Sequence, residues 1–114
     1  MAEHLNFVLE NDIVNEITYN IDQNMSVMIQ NTYEKENFIK EFFNKLNIAN
    51  VKLIEFSTNE NYQRNAYVYM NKWYNNSLVE NLQERILNPF IDAKLVYDDP
   101  DFWILTPNYN KDHI

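Results

Sequence analysis

The chain contains no cysteine and no glycine, only three prolines, and no lysine or arginine in its first 23 positions. Without cysteine there are no disulfides, no thiolate metal sites and no thiol nucleophile. Without glycine, a phosphate-cradling P-loop, a dinucleotide fingerprint or a nucleophile elbow cannot be built in its usual form, because each needs a backbone free to adopt positive φ or to approach a ligand closely. No apolar run approaches the roughly 20 residues that span a bilayer. The opening stretch MAEHLNFVLE lacks the basic flank and small-residue cleavage pattern of a secretory signal. The expectation is an intracellular protein with no membrane partner.

What is present is 114 residues, enough for one domain with its own core, and 20 asparagines. Asparagine tolerates left-handed backbone better than most residues, so it is the natural substitute where a turn would call for glycine. The net charge of −8 is unevenly spread. Residues 1–23 carry Glu3, Glu10, Asp12, Glu16 and Asp22 with no basic side chain, whereas residues 24–114 carry 12 acids and 9 bases. An acidic leader would repel phosphate or cover something basic. Its apolar residues Leu5, Phe7, Val8, Leu9, Ile13, Val14, Ile17 and Ile21 seek a partner, and the second group has helical spacing after Asn11 and Asp12. Three segments follow: an acidic, apolar-containing leader over 1–23 with a short helix, a domain over 24–108, and a polar tail over 109–114.

Alternation marks a first strand from Met25 to Asn31, with Val27 and Ile29 on one side and Met28 and Gln30 on the other. A helix is predicted from about Tyr33 to Leu46, with Asn31 or Thr32 as N-cap and Ile39, Phe42 and Leu46, joined by Phe38 and Phe43, as its apolar stripe. Strands at Val51–Phe56 and Ala66–Met70 flank the polar loop STNENYQ. Ser77 and Glu80 have capping-box spacing for a second helix that runs to about Leu87 and stops before Pro89. Two short strands, Ala93–Tyr97 and Phe102–Thr106, flank the turn DDPD. The order βαββαβ with an extra strand near the end predicts an α+β fold, an antiparallel sheet with two helices on one face.

In Gln63–Met70, QRNAYVYM, Tyr67 and Tyr69 share one face while Ala66, Val68 and Met70 share the other. That octet, together with Val27-Met28-Ile29-Gln30-Asn31, resembles the two strand motifs of the RNA-recognition-motif family (RRM), and the resemblance covers roughly residues 25–107. It implies a ferredoxin-like sheet whose open face binds a partner. Tyr67 falls at a base-stacking position of that family, Asn65 and Met28 fall where it has aromatics, Arg64 occupies a usual glycine, and Met70 replaces an aromatic. A narrower resemblance links strand three, NKWYNN and KLVYDDPDFWILTP to small uncharacterised RRM-like proteins of giant nucleocytoplasmic DNA viruses. It implies host cytoplasm or the virion as location.

The candidate partner-binding residues are Met28, Gln30, Arg64, Asn65, Tyr67, Tyr69 and Trp103, with Phe102 as the alternative to Trp103 on the last strand. Bases stacked on such a face are worth about 1–3 kcal/mol each, yet only nine basic residues, Lys52, Arg64, Lys72 and Lys94 the best placed among them, are there to neutralise phosphates. The favoured reading is a non-enzymatic binding module that contacts another protein chain, or a second copy of itself, through the sheet face or leader. Single-stranded RNA bound through Tyr67 and Tyr69, and a structural component of a viral particle, are the alternatives. Asp98, Asp99 and Asp101 around Pro100 read as a solvated turn capping its own backbone. His4 and His113 lie at opposite ends with no ligand spacing. No catalytic residue, metal, cofactor or small-molecule substrate is implied.

Overall fold

A computed structural model describes residues 17–109. Its elements are β1 (Val27–Ile29), α1 (Glu36–Lys45), β2 (Ala49–Thr58), β3 (Arg64–Trp73), α2 (Ser77–Leu87), β4 (Ala93–Asp98) and β5 (Asp101–Pro107). The strands form one sheet in the order β2-β3-β1-β5-β4, antiparallel at every pairing. β3 lies between β1 and β2, and β1 lies between β3 and β5, so two split βαβ units interlock and both helices pack on one face. This is the ferredoxin-like, RRM-like topology, extended by β4, which forms a hairpin with β5 and becomes the sheet's edge.

Pairing sets the faces. Val27 stands opposite Val68 and Ile29 opposite Ala66 and Leu105, and all five side chains are sealed beneath the helices with Ile39, Phe43, Val79, Leu82 and Ile86. Trp73, fully buried, closes the core and donates its indole N–H to the Met25 carbonyl at 2.9 Å. The leader's apolar residues from Leu5 to Val14, and the helix expected after Asn11, lie outside the described residues, as does the tail beyond Tyr109.

The helix ends depart from the sequence reading. α1 begins at Glu36 rather than Tyr33, with Lys35 at the N-cap and no side-chain cap. Asn31 takes a left-handed turn at φ 50° with its N–H on the Asn65 Oδ1. Thr32 is tied to β3 through Arg64, whose carbonyl accepts the Thr32 N–H and whose guanidinium bonds the carbonyls of Thr32 and Glu34. These bonds hold residues 32–34 extended. Leu46, expected in the core, is the exposed C-cap residue. Asn47 turns left-handed at φ 57°, Asn47 N–H bonds the Asn44 carbonyl and Ile48 N–H the Phe43 carbonyl, a Schellman close with asparagine where glycine is customary. Ile48 fills the core position instead. The capping box does not form. Asn76 is the N-cap of α2, accepting the Val79 N–H at 2.9 Å, and Glu80 instead accepts the Asn20 N–H.

Residues 17–23, read from sequence as part of the leader, have no regular structure but are strapped to the domain by side-chain amides. Asn75 accepts the Tyr19 N–H and donates to the Ile17 carbonyl. Gln83 does the same to the N–H and carbonyl of Asp22, and Gln23 to those of Trp73. Each amide side chain holds a stretch of main chain by both prongs, as a neighbouring strand would.

Candidate functional site

The face opposite the helices is uncovered by any described element, and its composition follows from register. Met28 stands opposite Tyr67 on one side and Thr106 on the other, while Glu55 stands opposite Tyr67. On the β4–β5 side, Ile104 pairs with Lys94 and Phe102 with Val96. Between β1, β5 and the start of β3 lies a cleft of about 410 Å³ lined by Met28, Ile104 and Phe102 and by the amides of Gln30, Asn31, Asn59, Gln63 and Asn65. Part of that amide set is committed internally, since Asn65 Oδ1 holds Asn31 and Asn59 bonds Gln63. Among the described residues the Gln30 side chain makes no intramolecular hydrogen bond, so its donor and acceptor face the cleft unspent.

Of the expected residues, Met28, Gln30, Asn65 and Tyr67 meet on this face. Tyr69 shares it but is only 4 % exposed. Burial pushes its phenol above the usual tyrosine range, the Glu55 carboxylate adds to the shift, and a hydrogen bond with Asn108 opposes it. A ring so enclosed is a poor stacking platform. Arg64 and Trp103 lie on the other side of the sheet. Arg64 has the parity of Ala66, and its guanidinium sits 3.9 Å over the ring of Phe56 beneath the helices. Trp103 has the parity of Leu105 and is 2 % exposed, stacked on Tyr97 at 4.5 Å and met edge-on by Phe42 at 5.3 Å. The last strand thus presents Phe102, with the Lys94 ammonium 4.8 Å above its ring.

Sequence reasoning missed Ile104, Val96 and the loop amides Asn31, Asn59 and Gln63. The strand DFWILTP is apolar at successive positions, so alternation could not tell its two faces apart.

Among the described residues no group of three or more His, Cys, Asp or Glu is arranged to hold a metal ion, the Asp98–Asp101 turn included, and no helix is long and apolar enough to cross a membrane. No family model, no curated protein and no solved structure matches the chain. Fold and site define an open-faced α+β sandwich of RRM-like topology, whose uncovered sheet is a surface suited to interaction.

Proposed function

We propose that this protein is a non-enzymatic interaction module that binds another protein chain through the open sheet face. The observation that carries the reading is the state of the stacking platform: Tyr69 is enclosed, Met28 replaces a ring, and Glu55 sits beside Tyr67. Anchoring a nucleic acid needs cations aligned with phosphates, whereas Arg64 is spent beneath the helices and Lys94 lies against Phe102. The remaining surface offers apolar contact from Met28, Ile104, Phe102 and Val96 beside neutral amides. That mixture suits a protein segment, which supplies apolar side chains and peptide donors and acceptors together.

Two measurements test it. A photoreactive side chain at Val96 is expected to cross-link a protein partner, while the same group at Glu84, on the exposed side of α2, is not. In parallel, the intact protein is titrated with a random single-stranded RNA pool at about 50 and 200 mM salt, where phosphate-driven binding would differ by orders of magnitude. Tight, salt-sensitive RNA binding abolished by Tyr67→Ala would refute the proposal in favour of RNA.

A further inference from the structure

A second groove adjoins the open sheet face at the end of β5, sharing Gln30 and Ile104 with the cleft there, and combines a slot with a protruding ring. β4 begins at Ala93, opposite Leu105, so among the described residues the outer edge of β5 beyond that point has no strand beside it. The space is a groove of about 340 Å³ whose lining joins apolar Ile86, Leu87, Ile91 and Pro107 to polar Gln30 and Asp92. Thr106 Oγ1, in its wall, is buried without a hydrogen-bond partner. On the groove's rim the loop from Asn88 to Asp92 is fixed by its own bonds, Phe90 N–H to Asn88 Oδ1 at 2.9 Å and Ile91 N–H to the Asn88 carbonyl. That loop holds Phe90 91 % exposed, beside Leu87 at 58 %, Ile91 at 45 % and, across the groove, Tyr109 at 82 %.

We infer that this surface joins two copies of the chain about a two-fold axis, each Phe90 seated in the groove of the other. A knob next to a slot on one surface is self-complementary under a two-fold, the condition an isologous contact must meet. Charge favours the same occupant. The chain carries −8, yet residues 86–91 and 102–109 contain no charged side chain, so repulsion between two copies is low here, and the one carboxylate lining the groove, Asp92, can face the Arg85 that borders it on the other copy. Area sets the class of contact. An aromatic side chain offers roughly 150–250 Å², so the four exposed residues supply on the order of 500 Å² per copy and about 1,000 Å² per pair, the low end for a specific interface and the size of a weak, transient one.

Sedimentation velocity of the full chain from about 1 to 200 μM tests this. The expected result is a shift from a 13.8 kDa monomer to a dimer as concentration rises, abolished by Phe90→Asp with the thermal melt of the monomer unchanged, because that ring touches solvent. Val96→Asp, on the open sheet face, is expected to leave the dimer intact. A wild-type chain that stays monomeric throughout would overturn the inference, as would a dimer that survives Phe90→Asp. A dimer lost with Val96→Asp but not with Phe90→Asp would place self-association on the sheet face, overturning this inference while leaving the protein-binding role of that face standing.

Discussion

Replacing Asn47 by alanine and by glycine tests how a chain without glycine makes its left-handed turns. The residue sits at φ 57° directly after the α1 C-cap, and its carbonyl accepts the Asn76 amide at 2.8 Å, so one left-handed residue ties the end of one helix to the cap of the next. A Cβ in this conformation costs about 1–2 kcal/mol, of which asparagine recovers part through local polar contacts. Asn47→Ala loses that recovery and is expected to destabilise by about 1 kcal/mol, a fall in Tm of roughly 4–8 °C for a domain of this size. Asn47→Gly removes the Cβ cost but adds unfolded-state entropy of about 0.5–1 kcal/mol, leaving it within about 0.5 kcal/mol of the parent. Urea unfolding followed by the fluorescence of Trp73 and Trp103, both buried, reads the difference. Equal stability of the alanine variant and the parent, together with a clear loss for glycine, would refute the argument.

The same reasoning singles out Tyr62, exposed and left-handed at φ 63° with no asparagine-like recovery. Tyr62→Asn is expected to raise stability by up to about 1 kcal/mol in the urea assay. Asn76→Ala should lose about 0.5–2 kcal/mol as the α2 cap, whereas Ser77→Ala, one residue along, should change little; a reversed ranking by thermal melts would restore the capping box. Burial raises the Tyr97 phenol above its ordinary range, with the carboxylates of Asp101, Glu34 and Asp98 adding to the shift, and Tyr69 is raised as described. A folded-state value above the unfolded one, near 10, means that the native protein holds these protons longer. Their stabilisation is complete below about pH 10 and lost as pH rises through the folded values. The urea midpoint should fall at high pH, and less steeply in Tyr97→Phe.

Much of the fold was legible because β1 and β3 alternate cleanly: Val27, Ile29, Ala66 and Val68 on one side fixed the sheet's buried face, and Pro89 marked the end of α2. The element order, and with it the α+β sheet with both helices on one face, followed. The helix ends were less legible, since Asn31, Thr32, Asn76 and Ser77 are all competent caps and tertiary bonds decide among them. For α1 the deciding partner was Arg64, distant in sequence, whose long side chain reached under the sheet to carbonyls that no local pattern reveals. On the candidate site, Met28, Gln30, Asn65 and Tyr67 share the open face, whereas Arg64 of β3 and Trp103 of β5 turn to the helix side and Phe102, the alternative on β5, faces out. Three phenylalanines of α1 meeting Trp103 decide which way that strand faces, and this choice between two apolar faces is made by packing rather than by periodicity.

The strap of residues 17–23 depends on a property of its clasps beyond geometry. Asn75, Gln83 and Gln23 each use both an amide hydrogen and an amide oxygen on the main chain they hold. Deamidation swaps the NH₂ of such a group for an oxygen of nearly the same size, so each clasp keeps its shape while its donor becomes a negative charge aimed at a carbonyl. Ageing chemistry at Gln83 would therefore set a carboxylate against the Asp22 carbonyl while leaving an acceptor for the Asp22 N–H, loosening one clasp of three without altering a single packed volume.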